Sequence, residues 1–156
     1  MADLKTVCID SNCMNVPSGN NYTAGSNIDI TNKVISLKTS TVSGSVAAWN
    51  VTNNVDDFRT LYKVEQKGIL IGRVYANWSN ASGGWRQVYP ARVRSGTVDT
   101  LPGLKVDEPT NSTTHLIAPF IIDVQPGDTI RGYVRQTSGA SLRLEYLSFI
   151  GVILAN

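Results

Sequence analysis

LEYLSFIGVILAN, residues 144–156, decides how this chain is read. Chain ends are commonly polar and loosely held. This one is apolar from Leu147 to Leu154, interrupted only by Ser148 and Gly151. A strand with one face in water alternates apolar and polar residues, whereas a strand covered on both faces is continuously apolar. Residues 147–154 therefore predict a strand with something packed on each of its faces. Leu147, Phe149, Gly151 and Ile153 fall on one side, and Ile150 and Val152 on the other.

Working back from this strand, the chain reads as strands and turns. LRLEYLSFIGVIL (142–154) follows SGAS, TIRGYVRQT (129–137) follows QPGD, and THLIAPFIIDV (114–124) precedes it. GILIGRVYANWS (68–79) alternates, with Ile69, Ile71, Arg73, Tyr75 and Asn77 on one side. Leu70, Gly72, Val74, Ala76 and Trp78 lie on the other. NASGG has the composition of a turn, and WRQVYPARV (85–93) reads as the returning strand, which predicts a long hairpin over 68–94. SNIDITNKVISLK (26–38) reads as a small hairpin turning at Thr31-Asn32-Lys33, and STVSGSVAAWNV (40–51) as a β segment rich in small residues. Val55, Phe58, Leu61 and Tyr62 have a spacing that fits one short helical turn. SGTVDTLPGLKVDEPTNST (95–113) shows little periodicity and reads as a loop. Strands recurring every 8–15 residues between Gly/Pro turns predict an all-β antiparallel sandwich or jelly roll.

The totals fit one domain. A 156-residue chain buries about two-thirds of its unfolded surface, enough to fold without staples. Hydrophobic residues make up 42% and charged residues 17%, and the net charge is +2. The arginines are scattered and no basic run occurs, which argues against a nucleic-acid partner. No apolar run approaches the roughly 18 residues of a membrane span. MADLKTVCIDSNC lacks the apolar core of a signal peptide, so a protein made in a cytoplasm and released by another route, such as host lysis, is expected. Cys8 and Cys13 stand close together. Reduced thiols, a small disulfide loop formed after release, interchain bridges and a metal site shared between subunits all remain open. Two cysteines and one distant His115 do not make a zinc site within one chain. The sequons at Asn21, Asn50, Asn77, Asn80 and Asn111 read as products of an Asn/Ser/Thr-rich composition.

Two resemblances now take shape. IIDVQPGDTIRGYV (121–134), a short turn and LSFIGVIL (147–154) resemble the C-terminal signature of C1q/TNF-like jelly rolls, through Gly127, Asp128, Ser148, Phe149, Gly151, Ile153 and Leu154. YKVEQKGILIGRVYANWS (62–79) is similar to that family's central stretch, so the likeness spans about 45–156. It implies a head in which the last strand is central in the inner sheet, and a homotrimer about an axis through that sheet. Leu147, Phe149, Gly151 and Ile153 become the trimer or core strand, with Gly151 allowing close approach of a neighbouring chain. YTAGSNIDITNKVIS (22–36) resembles stem units of bacteriophage fibre proteins, through Tyr22, Ala24, Gly25, Ile28, Ile30, Val34, Ile35 and Ser36. Together these imply a virion-attachment or stem segment over 1–40 and a jelly-roll head over 41–156.

No catalytic constellation stands out. His115, in STTHLIAP, has no nucleophile motif around it and reads as a strand-edge residue making one hydrogen bond. Asp56-Asp57 and Asp107-Glu108 are loop carboxylate pairs, of the kind glycosidases place at fixed separations, but adjacent loop acids are ordinarily just solvated. No cofactor and no metal are expected. The stretch NWSNASGGWRQVY (77–89) offers a binding surface instead. Sugars stack on aromatic rings while polar side chains fix their hydroxyls, and Trp85, Arg86, Asn80 and Tyr89 are the candidate ligand residues, with core packing or a subunit interface as the alternative for Trp85 and Arg86. Trp78 falls on the Leu70–Val74 side and reads as core. The expected protein is a non-enzymatic virion component. It is a fibre head or decoration knob held to capsid or tail by its N-terminal segment, and it binds a host-surface glycan or protein without inserting into membranes. The alternatives are a bacterial or spore-surface adhesin of the same fold and a carbohydrate-active enzyme on a β-sandwich.

Overall fold

Two layers of antiparallel strands enclose the apolar sides just described. The computed structural model describes the backbone of residues 4–9, 12–17, 28–31, 34–81, 83–107 and 112–155, with side chains over 38–79, 83–103 and 113–155. In chain order the strands are β1 (Leu4–Ile9), β2 (Asn12–Pro17), β3 (Ile28–Thr31), β4 (Val34–Leu37), β5 (Thr39–Val46), β6 (Trp49–Val51) and β7 (Asp57–Lys63). They continue as β8 (Gly68–Ala81), β9 (Trp85–Arg94), β10 (Thr97–Thr100), β11 (Leu104–Asp107), β12 (Ser112–Val124), β13 (Thr129–Gln136) and β14 (Leu142–Ala155). No helix occurs among the described residues.

One sheet runs β12-β8-β14-β5, with β6 also on β14. The other runs β10-β9-β13-β7, with β11 also on β9. The last strand is thus interior, with β8 on one edge and β5 and β6 on the other. Leu142, Leu144, Leu147, Phe149 and Ile153 face the core and are buried. They meet Leu70, Val74 and Trp78 of β8 and Val88, Ile130 and Val134 of the opposite sheet in one hydrophobic cluster. Burying a side chain of this size contributes about 1.5–3 kcal/mol.

The small hairpin expected over 26–38 is present as β3 paired with β4, Ile30 opposite Ile35; Asn32 and Lys33 of its turn lie outside the described residues. A second hairpin, which the sequence did not suggest, pairs β1 with β2 and sets Cys8 opposite Cys13.

Three expectations change. Residues 68–94 do not form a hairpin. β8 and β9 lie in different sheets, joined by a turn in which Gly83 and Gly84 have positive φ. Each strand buries its own apolar side (Leu70, Val74, Ala76 and Trp78 on β8; Val88 and Pro90 on β9), so the two cover each other best across the core. The chain likewise changes sheet from β7 to β8, from β12 to β13 and from β13 to β14, the layout of a jelly roll. The helical spacing over 55–62 yields to a strand, because β7 pairs with β13 from Asp57 to Lys63. Part of the expected 95–113 loop forms β10 and β11, which both add to β9.

The close approach that Gly151 permits lies inside the subunit. Gly151 stands opposite Gly72. A Cβ at Gly151 would come 2.9 Å from Leu70 Cδ1 and 3.1 Å from Phe149 Cζ, and one at Gly72 would come 2.8 Å from Phe149 Cε2. The pair makes room for the Phe149 ring, which stacks on Phe120 at 6.0 Å. A tighter approach occurs where β5 passes β7. There a Cβ on Gly44 would stand 1.7 Å from the Leu61 carbonyl oxygen.

The QPGD turn is held from within. The Asp128 carboxylate is 1% exposed. It accepts from the Gln125 backbone N–H at 3.0 Å and from Arg94 at 2.7 and 2.9 Å. Burial pushes its pKa upward, but the Arg94 hydrogen bonds, the Gln125 N–H and the charges of Arg94 and Arg92 bring it below the ordinary carboxylate value. A depressed carboxylate stabilises the fold above its unfolded value of about pH 4, and this contribution disappears as pH falls through the lower folded value. Asp128→Asn is expected to cost about 2 kcal/mol at neutral pH and to flatten the acid side of a stability-versus-pH curve measured by urea unfolding. An unchanged acid limb would remove Asp128 from that role. Gly44→Ala should lower stability by about 3 kcal/mol in the same assay, because a backbone carbonyl cannot step aside as a side-chain tip can.

Candidate functional site

The molecule presents two outward sheet faces of different chemistry. On the β12-β8-β14-β5 sheet the outward side is rich in isoleucine along β12, β8 and β14 and polar along β5. Its rows follow from the register: Ile121, Ile71, Val152 and Thr41 in one, then Pro119, Arg73, Ile150 and Ser43, then Ile117, Tyr75, Ser148 and Ser45. Ile121 is 67% exposed, Ile150 47%, and Ile71 and Ile117 44% each. A contiguous apolar patch of this kind marks an interaction surface. Arg73 stands inside it with no ion pair among the described residues, beside a shallow groove of about 330 Å³ between Thr41, Ile71, Pro119 and Ile150. At one end His115, on the edge strand β12, shares a 2.6 Å hydrogen bond between its Nδ1 and the Tyr75 hydroxyl, and the two rings stack. Leu147, Phe149, Gly151 and Ile153 point the other way, into the core; Ile150 and Val152 carry β14's outward surface.

On the β10-β9-β13-β7 sheet the outward side is aromatic and polar. β9 contributes Trp85, Gln87 and Tyr89, β13 contributes Arg131, Tyr133 and Arg135, and β7 contributes Phe58. Tyr89 and Tyr133 are cross-strand partners with ring centroids 5.0 Å apart and planes 12° from parallel. Phe58 lies 5.0 Å from Tyr133 with its ring tilted by 31°. Arg131 lies 4.4 Å over Phe58, and Arg135 lies 5.5 Å over Trp85. Arg135 also donates to Asn54 Oδ1 at 2.6 Å and lies 3.6 Å from Asp56. A groove of about 320 Å³ opens here, lined by Asp56, Gln87, Tyr89, Leu101 and Arg135 among others. The Tyr89 hydroxyl is pushed up to about 12 by burial first, then by the charge of Asp56 and a hydrogen bond to it, with Arg135 opposing. It is a neutral hydrogen-bonding group at any physiological pH.

The sequence candidates separate on these faces. Trp85 and Tyr89 share the outward side of β9. Arg86 does not join them, being fully buried with a 2.8 Å bond from its guanidinium to the Gly83 carbonyl. Asn80 lies in β8, with its side chain outside the described residues. Trp78 is fully buried, as its side of β8 implied. The Asp56-Asp57 pair diverges. Asp56 lines the groove, while Asp57 accepts from Trp49 at 2.7 Å and pairs with Arg59. The side chain of Asp107 and all of Glu108 lie outside the described residues. Sequence reasoning missed Gln87, Tyr133 and Arg135, although the alternation of TIRGYVRQT already put Arg131, Tyr133 and Arg135 on one side.

No family model matches the chain, and no curated protein matches it. Solved structures do. The fold is similar to the structure of Eiger TNF from S. frugiperda, at 12% identity and a TM-score of 0.53, over 74% of this chain and 93% of that one. Murine APRIL at pH 5.0 matches at 12% identity and a TM-score of 0.51, over 72% of this chain and 98% of that one. A chain of infectious bursal disease virus, Gt strain, matches at 11% identity and a TM-score of 0.53, over 94% of this chain but 39% of its own length. The architecture is therefore an antiparallel jelly roll like that of the TNF structures, the fold that the resemblance of the C-terminal residues implied.

Proposed function

We propose that this chain is the non-enzymatic head of a short bacteriophage fibre or decoration knob, assembled as a homotrimer through the outward side of the β12-β8-β14-β5 sheet. The observation that carries the reading is the cluster of exposed isoleucines across three neighbouring strands, Ile117 and Ile121 on β12, Ile71 on β8 and Ile150 on β14. Left in water they would cost solubility, and a second and third copy of the same surface would cover them. Residues 1–40 attach the head to capsid or tail, and the likeness of residues 22–36 to phage stem units supports this end of the assignment. The opposite sheet then faces outward and contacts the host surface, with glycans as the expected class of receptor. Three heads on each fibre and several fibres on each particle turn weak single contacts into firm attachment. The reading places the mature protein in the virion.

Light scattering on the full chain is the direct test. A mass three times the 16.9 kDa subunit is expected. Ile121→Asp combined with Ile150→Asp should return it to the subunit mass, with an unchanged far-ultraviolet spectrum because both side chains already lie outside the core. A wild-type monomer would sink the knob assignment, and a trimer that survives both charges would move its interface elsewhere.

A further inference from the structure

We infer that the groove at Asp56, Gln87, Tyr89 and Arg135 is the receptor site of the head, and that its ligand is a neutral saccharide. The inference rests on reading the chain as an attachment head and narrows that reading to one site and one ligand class.

The groove's volume, about 320 Å³, lies at the small end of the range ligand clefts occupy, about 300–1,000 Å³. That suits one or two sugar rings. Its polar groups come in both signs. Asp56 can only accept hydrogen bonds and Arg135 can only donate them, and they stand 3.6 Å apart. Gln87 and the neutral Tyr89 hydroxyl offer both capacities. Adjacent hydroxyls of a sugar each donate and accept, so one diol can satisfy the carboxylate and the guanidinium together. An acidic ligand would meet the Asp56 charge and a cationic ligand the Arg135 charge, so the pair selects against both. Leu101 and the Tyr89 ring supply an apolar wall for the carbon face of the ring.

The site is also fixed in advance. Arg135 is held by Trp85 on one side and by Asn54 on the other, and Tyr89 is braced by Tyr133. Little side-chain freedom is left to lose on binding. The backbone beneath is anchored: the Asn54 N–H donates to the Gln136 carbonyl at 2.8 Å, and the buried Gln136 amide donates to Val51 and Ala140 carbonyls at 3.1 and 2.7 Å.

The test is a titration of the isotope-labelled full chain, followed by amide NMR spectra. The probes are D-glucose, D-galactose, D-mannose and N-acetyl-D-glucosamine, with D-glucuronate and N-acetylneuraminate as acidic counterparts. At least one neutral sugar should shift the amide signals around Asp56, Gln87, Tyr89 and Arg135, with a dissociation constant in the millimolar range usual for a single ring. Asp56→Ala should weaken that binding about 10-fold or more. Asp56 is exposed enough that the variant keeps its fold, which its own spectrum verifies. Silence with all four neutral sugars, a response to the acidic sugars alone, or shifts confined to another surface would each overturn the assignment. The mass of the same sample judges the knob reading separately. A trimer that ignores neutral sugars loses the groove and keeps the knob, whereas a monomer that binds them keeps the groove and loses the knob.

Discussion

The rest of the structure depends on β14 being apolar on both sides while lying in the middle of its sheet. Its inward residues close the core against the opposite layer, and every described strand of the sandwich packs on or pairs with something that touches them. Its outward residues find no second layer among the described residues. β8 and β12 share the predicament, because they present Ile71 and Ile121 in the same row as Val152, whereas β5 turns Thr41, Ser43 and Ser45 outward. Burial of this outward face against further copies of the chain is what the proposed trimer supplies.

Three of the buried polar side chains, Asp128, Gln136 and Arg86, hold turns. Asp128 ties the β12–β13 turn to Arg94 on β9. Gln136 ties the end of β13 to β6 and to the following turn. Arg86 reaches the Gly83 carbonyl at the turn between β8 and β9. The Gln136–Val51 bond crosses from one sheet to the other, where no ladder hydrogen bonds run, and a buried polar group without partners would cost more than it returns. The groove lies at the end of the sandwich where Gln136 and Arg86 fasten the turns, so its floor is rigid even though it sits beside loops.

Strand identity was legible in the sequence because side chains alternate with a period of two, and that period tells which residues share a side. It does not tell which sheet a strand joins. The alternation of residues 68–79 and 85–93 is equally compatible with a hairpin and with two strands facing each other across a core. The choice is made by non-local partners, β14 and β12 for β8, and β13 for β9. The same limit explains β7, whose local spacing suits a helix and whose ladder with β13 overrides it. At the site, Trp85 and Tyr89 could be found from NWSNASGGWRQVY. Arg135 could not, since it is brought beside Trp85 by the β9–β13 register and beside Asp56 by the approach to β7. Arg86 was misplaced because one step along a strand reverses inside and outside, and nothing local says that an arginine takes the inward step.

The two sheets therefore divide the labour by surface chemistry. One turns isoleucine, valine and proline outward, a composition suited to burial against copies of itself. The other turns tyrosine, tryptophan, arginine and glutamine outward, side chains that offer rigid rings and hydrogen bonds while remaining compatible with water. In the proposed trimer these roles follow from geometry alone: covering the first face at the axis leaves the second on the perimeter, three times over. A shallow groove with both donors and acceptors then binds each sugar weakly, and repetition supplies the strength that depth does not.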